Sequence, residues 1–158
     1  MLPLPLLGAL AGWLTTRIGV WRTSALGLLI AAAGFAGIAV MINGNSYPLL
    51  LAFMAVWGSG LGILTPAIVA AALRAAPDSP GAASGASNTS RQTGGALGVA
   101  IFAAIAGPAT GTNFTAHSAG LFIAAAAAFV VIGVLLGTNV NHRSPNSAPP
   151  LTTIPRNG

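Results

Sequence analysis

Long apolar runs that carry almost no charge constrain the fold of this chain more than any other feature. Residues 25–42, 48–73 and 118–137 contain no acidic or basic side chain. A helix rises 1.5 Å per residue, so about 20 apolar residues cross the roughly 30 Å hydrocarbon core of a bilayer. Each run is therefore predicted to form a membrane-spanning helix.

The amino-acid composition supports a membrane protein. Of 158 residues, 54% are hydrophobic and 4% are charged, whereas a soluble domain is about 25% charged. The net charge of +5 comes from six arginines that are scattered along the chain. A nucleic-acid-binding protein would cluster such residues into a patch that follows the phosphates, so nucleic acid is not expected as a partner. The chain lacks cysteine, which excludes disulfides and thiolate metal sites.

Residues 81–107 contain the densest polar group of any predicted span. The first part is small and polar and carries Asn88, Arg91 and Gln92, while the part from Gly94 onward is apolar. Because no proline interrupts this stretch, it is predicted to be one helix. Asn88 and Arg91 share a face of that helix. These three polar residues are the candidates for a substrate cavity or a gate.

Glycines on the same helix recur at a spacing that permits close helix contact. A small residue at every fourth position lets a neighbouring backbone approach within the bilayer. Tight packing on another helix is therefore predicted at Gly81, Gly85, Gly94, Gly95 and Gly98.

The predicted architecture is an all-α, multi-pass transmembrane helix bundle with four full spans after a partial one. The first apolar run covers only about 20 Å, so it is interpreted as the end of a span, with a short interfacial helix as the alternative. The predicted spans are residues 2–14, 24–42, 48–73, 84–107 and 118–137 within a transmembrane domain over 1–137. The proline-rich residues 138–158 are predicted to form a disordered tail.

The positions of the arginines predict the orientation in the membrane. If the spans alternate in direction, every arginine falls on one side: Arg17, Arg22, Arg74, Arg91, Arg143 and Arg156. Cytoplasmic segments are enriched in basic residues. We therefore expect a multi-pass protein of the cell membrane whose C-terminus is cytoplasmic.

Residues that could support catalysis or bind a metal are scarce. Asp78 is the only acid, and it lies in a predicted loop. His117 and His142 are predicted outside the hydrocarbon and have no cysteine or carboxylate nearby. The sequence therefore predicts no enzyme activity, no metal site and no cofactor. Arg91 has two interpretations: it extends to the lipid headgroups, or it faces a water-filled cavity and contacts a substrate.

A known family is similar at several of these positions. The run Arg91-Gln92-Thr93-Gly94-Gly95-Ala96-Leu97-Gly98, with Gly85 and Asn88, resembles the penultimate helix of major facilitator superfamily drug exporters. The narrower resemblance is to drug:proton antiporters with fourteen spans. The glycine-rich residues 57–62, followed by Thr65-Pro66, are similar to the preceding span of that group.

The junction before the first full span also resembles this family. Gly12, Arg17, Gly19 and Arg22 are similar to the superfamily's cytoplasmic Gly-x-x-x-Asp-Arg-x-Gly-Arg loop, although Thr16 stands at the aspartate position. The aspartate normally contributes to the charge relay of the inner gate, so the resemblance does not extend to that relay.

The resemblance covers residues 4–137 and implies the last five spans of a fourteen-span exporter. It implies alternating access, with the lipid bilayer, a small-molecule substrate, protons and a missing N-terminal half as partners. The fragment alone would be inactive. The alternative is a small stand-alone membrane protein that oligomerises through its glycine faces.

Overall fold

The computed structural model describes residues 3–42, 44 and 46–139, and these residues form a bundle of α-helices. The helices are α1 (Pro3–Ile18), α2 (Val20–Met41), α3 (Tyr47–Ala75), α4 (Pro80–Ala106) and α5 (Phe114–Asn139). The predicted all-α helix bundle is confirmed.

Three of these helices are long and apolar enough to cross a membrane: α2, α3 and Phe114–Thr138 of α5. Helix α4 has 27 residues, but its first half is rich in serine and other polar side chains. Its membrane crossing therefore stays a prediction, as does the partial span in α1. The predicted tail over 138–158 lies almost entirely outside the described residues.

Helix α2 is the centre of the bundle, and its most extensive contacts are with α3 and α5. More than half of its 22 residues are buried, and most of those are alanine or glycine. Small side chains allow helix backbones to approach closely, and close packing is a main source of association in lipid. The sequence of α2 therefore suits a central helix.

The contacts of α2 show that its two main neighbours run antiparallel to it. Gly27 lies against Gly60 of α3, whereas Gly37, further along α2, lies against Phe53, which is earlier in α3. Near the start of α2, Ala25 and Leu28 lie beside Gly133, towards the end of α5. The start of α2 and the ends of α3 and α5 therefore lie at one end of the bundle.

The outer surface of the bundle is apolar. Exposed side chains include Val40, which is 68% exposed, and Val99, which is 71% exposed. Many other exposed residues are leucine, isoleucine or valine. Large contiguous apolar surfaces are rare on soluble monomers, but in a bilayer such side chains contact lipid. The surface therefore fits a multi-pass membrane protein.

The described arginines lie towards the same end of the bundle. Arg17 and Arg22 flank the junction between α1 and α2, Arg74 lies in the last turn of α3, and Arg91 is in the first half of α4. The antiparallel packing of α2 and α3 brings Arg22 and Arg74 to the same end, and Arg17 lies two residues before Gly19 at that end. This arrangement agrees with the predicted segregation of charge, although Arg143 and Arg156 lie outside the described residues.

A single glycine connects α1 to α2. Gly19 has φ 86° and ψ 157°, which lies in a region of backbone conformation that is almost exclusive to glycine. The junction that precedes the first full span is therefore helical on both sides of Gly19.

Replacing Gly19 with alanine is expected to lower the free energy of unfolding by at least about 1 kcal/mol, because a Cβ is strained in this conformation. The matched control is Gly12→Ala in α1, where an added Cβ meets no atom within 4 Å. Reversible unfolding in detergent would measure both variants. Equal stability of the two would contradict the assignment of strain to Gly19.

Candidate functional site

A groove between α3 and α4 is the candidate functional site. Its volume is about 1160 Å³, and it extends from the loop joining the helices along the second half of α3 and the first half of α4. The two helices make few contacts with each other in comparison with the α2–α3 pair. The groove is the space that their separation leaves.

The wall formed by α3 is apolar. Its residues recur at helical spacing, so they form one stripe: Leu61, Leu64, Thr65, Ile68, Val69 and Ala72. Thr65 does not make this wall polar, because its hydroxyl donates a hydrogen bond of 2.9 Å to the carbonyl oxygen of Leu61.

The wall formed by α4 is polar. Ser84, Ser87, Asn88, Ser90 and Arg91 contribute hydroxyl, amide and guanidinium groups to the groove. Arg91 donates from Nη2 to Oδ1 of Asn88 over 2.9 Å, which holds the two side chains together one turn apart on the helix. The structure therefore brings together two of the three predicted polar candidates in one groove.

Gln92, the third candidate, is exposed on α4 and is not part of the groove lining. Its assignment to a cavity or gate stays a prediction.

All five predicted packing glycines of α4 face open space in the described part of the chain. A Cβ added at Gly81, Gly85, Gly94, Gly95 or Gly98 would meet no atom within 4 Å. Among the described residues of α4, only Ala106 is buried. The close helix contact predicted for these glycines thus has no counterpart within the described residues, and it stays a prediction.

Three residues of the predicted loop motif, Arg17, Gly19 and Arg22, lie at the junction of α1 and α2, whereas Gly12 lies within α1. The guanidinium of Arg17 lies 5.0 Å from the ring centre of Trp13, which is a cation–π contact. Arg22 lies in the first turn of α2, and Gly19 makes the turn between the helices. Cations and an aromatic ring at a helix end are typical of a membrane–water interface.

A cluster of aromatic rings holds the bundle together beyond the groove. Phe35 of α2 lies 5.5 Å from Trp57, 5.6 Å from Phe122 and 5.5 Å from Phe129, measured between ring centres. Phe102 lies 5.5 Å from Phe122 and so connects α4 to α5. Helix α4 is therefore anchored near its C-terminal end, while its polar first half borders the open groove.

Comparison with known proteins identifies the family. Residues 1–99, more than half of the chain, match the Major Facilitator Superfamily. The chain belongs to the Major Facilitator Superfamily. The resemblance stated from the sequence is thereby confirmed at the level of the superfamily, whose members are membrane transporters.

Two curated relatives carry the name triacylglyceride transporter. One from Mycolicibacterium hassiacum is 36% identical over 115 residues, which covers 66% of this chain and 22% of the relative. Another from Mycolicibacterium smegmatis is 35% identical over 115 residues, which covers 66% of this chain and 20% of the relative. The chain thus spans about a fifth of the length of the two curated relatives. No solved structure matches.

The apolar wall of the groove was not predicted from the sequence. The signal was present, because residues 61, 64, 65, 68, 69 and 72 follow a regular helical spacing. Helix α3 is apolar on all sides, however. Periodicity alone therefore could not distinguish a groove wall on this helix from a surface that contacts lipid or the core.

Proposed function

We propose that this chain is the C-terminal part of a secondary active transporter that exports hydrophobic or amphiphilic small molecules across the cell membrane. The observation that carries the proposal is the groove between α3 and α4, with one apolar and one hydrogen-bonding wall. Ligand sites are mostly apolar with a few polar groups that fix orientation. Membership of a transporter superfamily supports the same function, and an enzyme activity is not proposed.

The transport mechanism is proposed to be alternating access coupled to protons, in a drug:proton antiporter architecture with fourteen spans. Proton coupling needs titratable groups in the membrane, and Asp78, the only acid, lies in the loop before α4. The coupling carboxylates would therefore belong to an N-terminal half that this chain does not include. The same reasoning implies that the chain alone does not transport.

The substrate has two candidate classes. Drug-like compounds follow from the resemblance of residues 91–98 to drug exporters. Acyl lipids are favoured by the relatives, which are named triacylglyceride transporters. Both classes are hydrophobic and fit a groove with an apolar wall. The C-terminus is proposed to be cytoplasmic, which places the groove in the inner half of the membrane.

Filling the groove should block export. Ile68 is 46% exposed and lines the groove, so Ile68→Trp adds a large side chain there without disturbing the core. We expect export to fall at least about tenfold with unchanged abundance, because the indole ring occupies space that the substrate needs and a loss of about 1.4 kcal/mol in binding already corresponds to a factor of ten. The assay is efflux of a hydrophobic dye, and separately of a fluorescent triacylglycerol, from vesicles containing the full-length transporter.

Leu73→Trp is the matched control, because Leu73 is 38% exposed on the same helix and does not line the groove. It should export at the unmodified rate. Vesicles that contain only the 158-residue chain should transport neither compound. Efflux by the short chain alone, or equal effects of the two tryptophan variants, would contradict the proposed function.

A further inference from the structure

We infer that the groove between α3 and α4 selects amphiphiles with an ionised carboxylate, such as a long-chain fatty acid, over neutral molecules of the same shape. The inference rests on the proposed function, because it names the substrate class of the same groove. The ligand that we infer is more specific than the neutral lipids and drug-like compounds considered as substrates above.

The first argument concerns charge. Among the described residues that line the groove, Arg91 carries a positive charge and no side chain carries a negative one. Asp78 is the sole acid of the chain, and it lies outside the lining. Arg91 is exposed to the groove, so an anion that enters the groove can pair with its guanidinium through charged hydrogen bonds. The groove is thus electrostatically complementary to an acid.

The second argument concerns hydrogen bonding. Within the described part of the chain, the guanidinium of Arg91 makes one hydrogen bond to another side chain, the bond to Asn88. A guanidinium has five N–H donors in a planar fork, so donors remain for a ligand. That fork matches the two oxygens of a carboxylate, and such paired, charged hydrogen bonds are the strong ones. Asn88 fixes the position of the guanidinium through Nη2.

The third argument concerns shape. The apolar stripe of α3 from Leu61 to Ala72 covers about 17 Å along the helix. Half of a bilayer's hydrocarbon core is about 15 Å thick, which is the length that one acyl chain fills. An acyl chain can therefore lie along α3 while its head group reaches Arg91 on the opposite wall.

The test uses the 158-residue chain in nanodiscs of zwitterionic phosphatidylcholine at pH 8, where a carboxyl group is ionised. A photoactivatable fatty acid is crosslinked, and mass spectrometry maps the labelled peptides. Label is expected on residues 61–76. Palmitate should compete at a concentration about tenfold or more below that of methyl palmitate, because a hydrogen bond to a charged group is worth about a tenfold or larger factor.

The variants separate charge from shape. Arg91→Gln should weaken palmitate about tenfold or more and methyl palmitate much less, because only the acid forms paired, charged hydrogen bonds, and Arg91→Lys should restore part of the difference. Arg74→Gln is the matched control, because Arg74 is exposed near the same loop and does not line the groove. Ile68→Asn should weaken both ligands. Circular dichroism would verify that each variant keeps its helices.

Equal competition by palmitate and methyl palmitate would overturn the inference, and so would an Arg91→Gln variant that binds palmitate normally. Displacement of the label by phosphatidylglycerol would also overturn it, because that result would assign the site to a phosphate head group. The proposed function is tested by a different result. If the full-length transporter exported neutral compounds and Ile68→Trp blocked that export, the proposed function would stand even without selectivity for acids.

Discussion

Replacing Gly60 with alanine should lower the free energy of unfolding by about 3 kcal/mol or more, at the upper end of the usual cost of overpacking. A Cβ at this position would lie 2.5 Å from the backbone nitrogen of Ala31 and 2.7 Å from the carbonyl oxygen of Gly27. Both are backbone atoms of α2, so they cannot move aside as a flexible side chain could. The helices would have to separate along the most extensive contact of the bundle.

The control for this prediction lies two residues away on the same helix. Gly58 is exposed, and a Cβ added there meets no atom within 4 Å. Gly58→Ala should be neutral or stabilise α3 by up to about 1 kcal/mol, because alanine favours helix more than glycine does. Unfolding in detergent micelles would compare the two variants. If Gly60→Ala were as stable as Gly58→Ala, α2 and α3 would not pack as closely as the structure shows.

Replacing Phe35 with alanine should destabilise the bundle by about 3 kcal/mol. The ring of Phe35 pairs with Trp57, Phe122 and Phe129, and each aromatic pair contributes about 0.5–1.5 kcal/mol beyond the area it buries. These contacts join α2 to α3 and α5, so one substitution weakens two helix interfaces. The midpoint of thermal unfolding, followed by near-ultraviolet circular dichroism, would measure the loss.

Two further variants test whether ring geometry causes this effect. Phe35→Leu keeps much of the volume and should recover only part of the stability. Val40→Ala shortens a side chain of the same helix that is 68% exposed. This side chain makes little contact with the rest of the described bundle, so the variant should be close to neutral. A loss at Val40 as large as that at Phe35 would show that truncation itself destabilises α2.

The helices could be predicted from the sequence because apolar length and breaking residues determine them. The uncharged runs correspond to α2, α3 and α5, and the stretch without proline corresponds to α4, which ends at Ala106. The pairing of helices could not be predicted in the same way. Glycines occur in every span, and the sequence singled out those of α4, whereas the structure places Gly27, Gly34 and Gly60 in the tight contact.

The polar half of the candidate site could be predicted because polar groups are rare in this chain. Asn88 and Arg91 were selected for their density and shared helix face, and both line the groove. The apolar half could not be selected, because Ile68 and Val69 resemble the many other aliphatic residues around them. The polar wall can be recognised in the sequence because its residue types are rare in this chain, whereas the apolar wall consists of residue types that occur throughout it.

The uneven polarity of α4 has a consequence for biosynthesis. Its apolar part, residues 94–106, covers about 20 Å, which is less than the roughly 30 Å that a span requires. The translocon penalises an arginine within a segment of this kind, so α4 should partition weakly into lipid on its own. Helix α5 contains no aspartate, glutamate, lysine or arginine and follows after a short loop. The two should leave the translocon together as a helical hairpin, with the later helix securing the insertion of the earlier one.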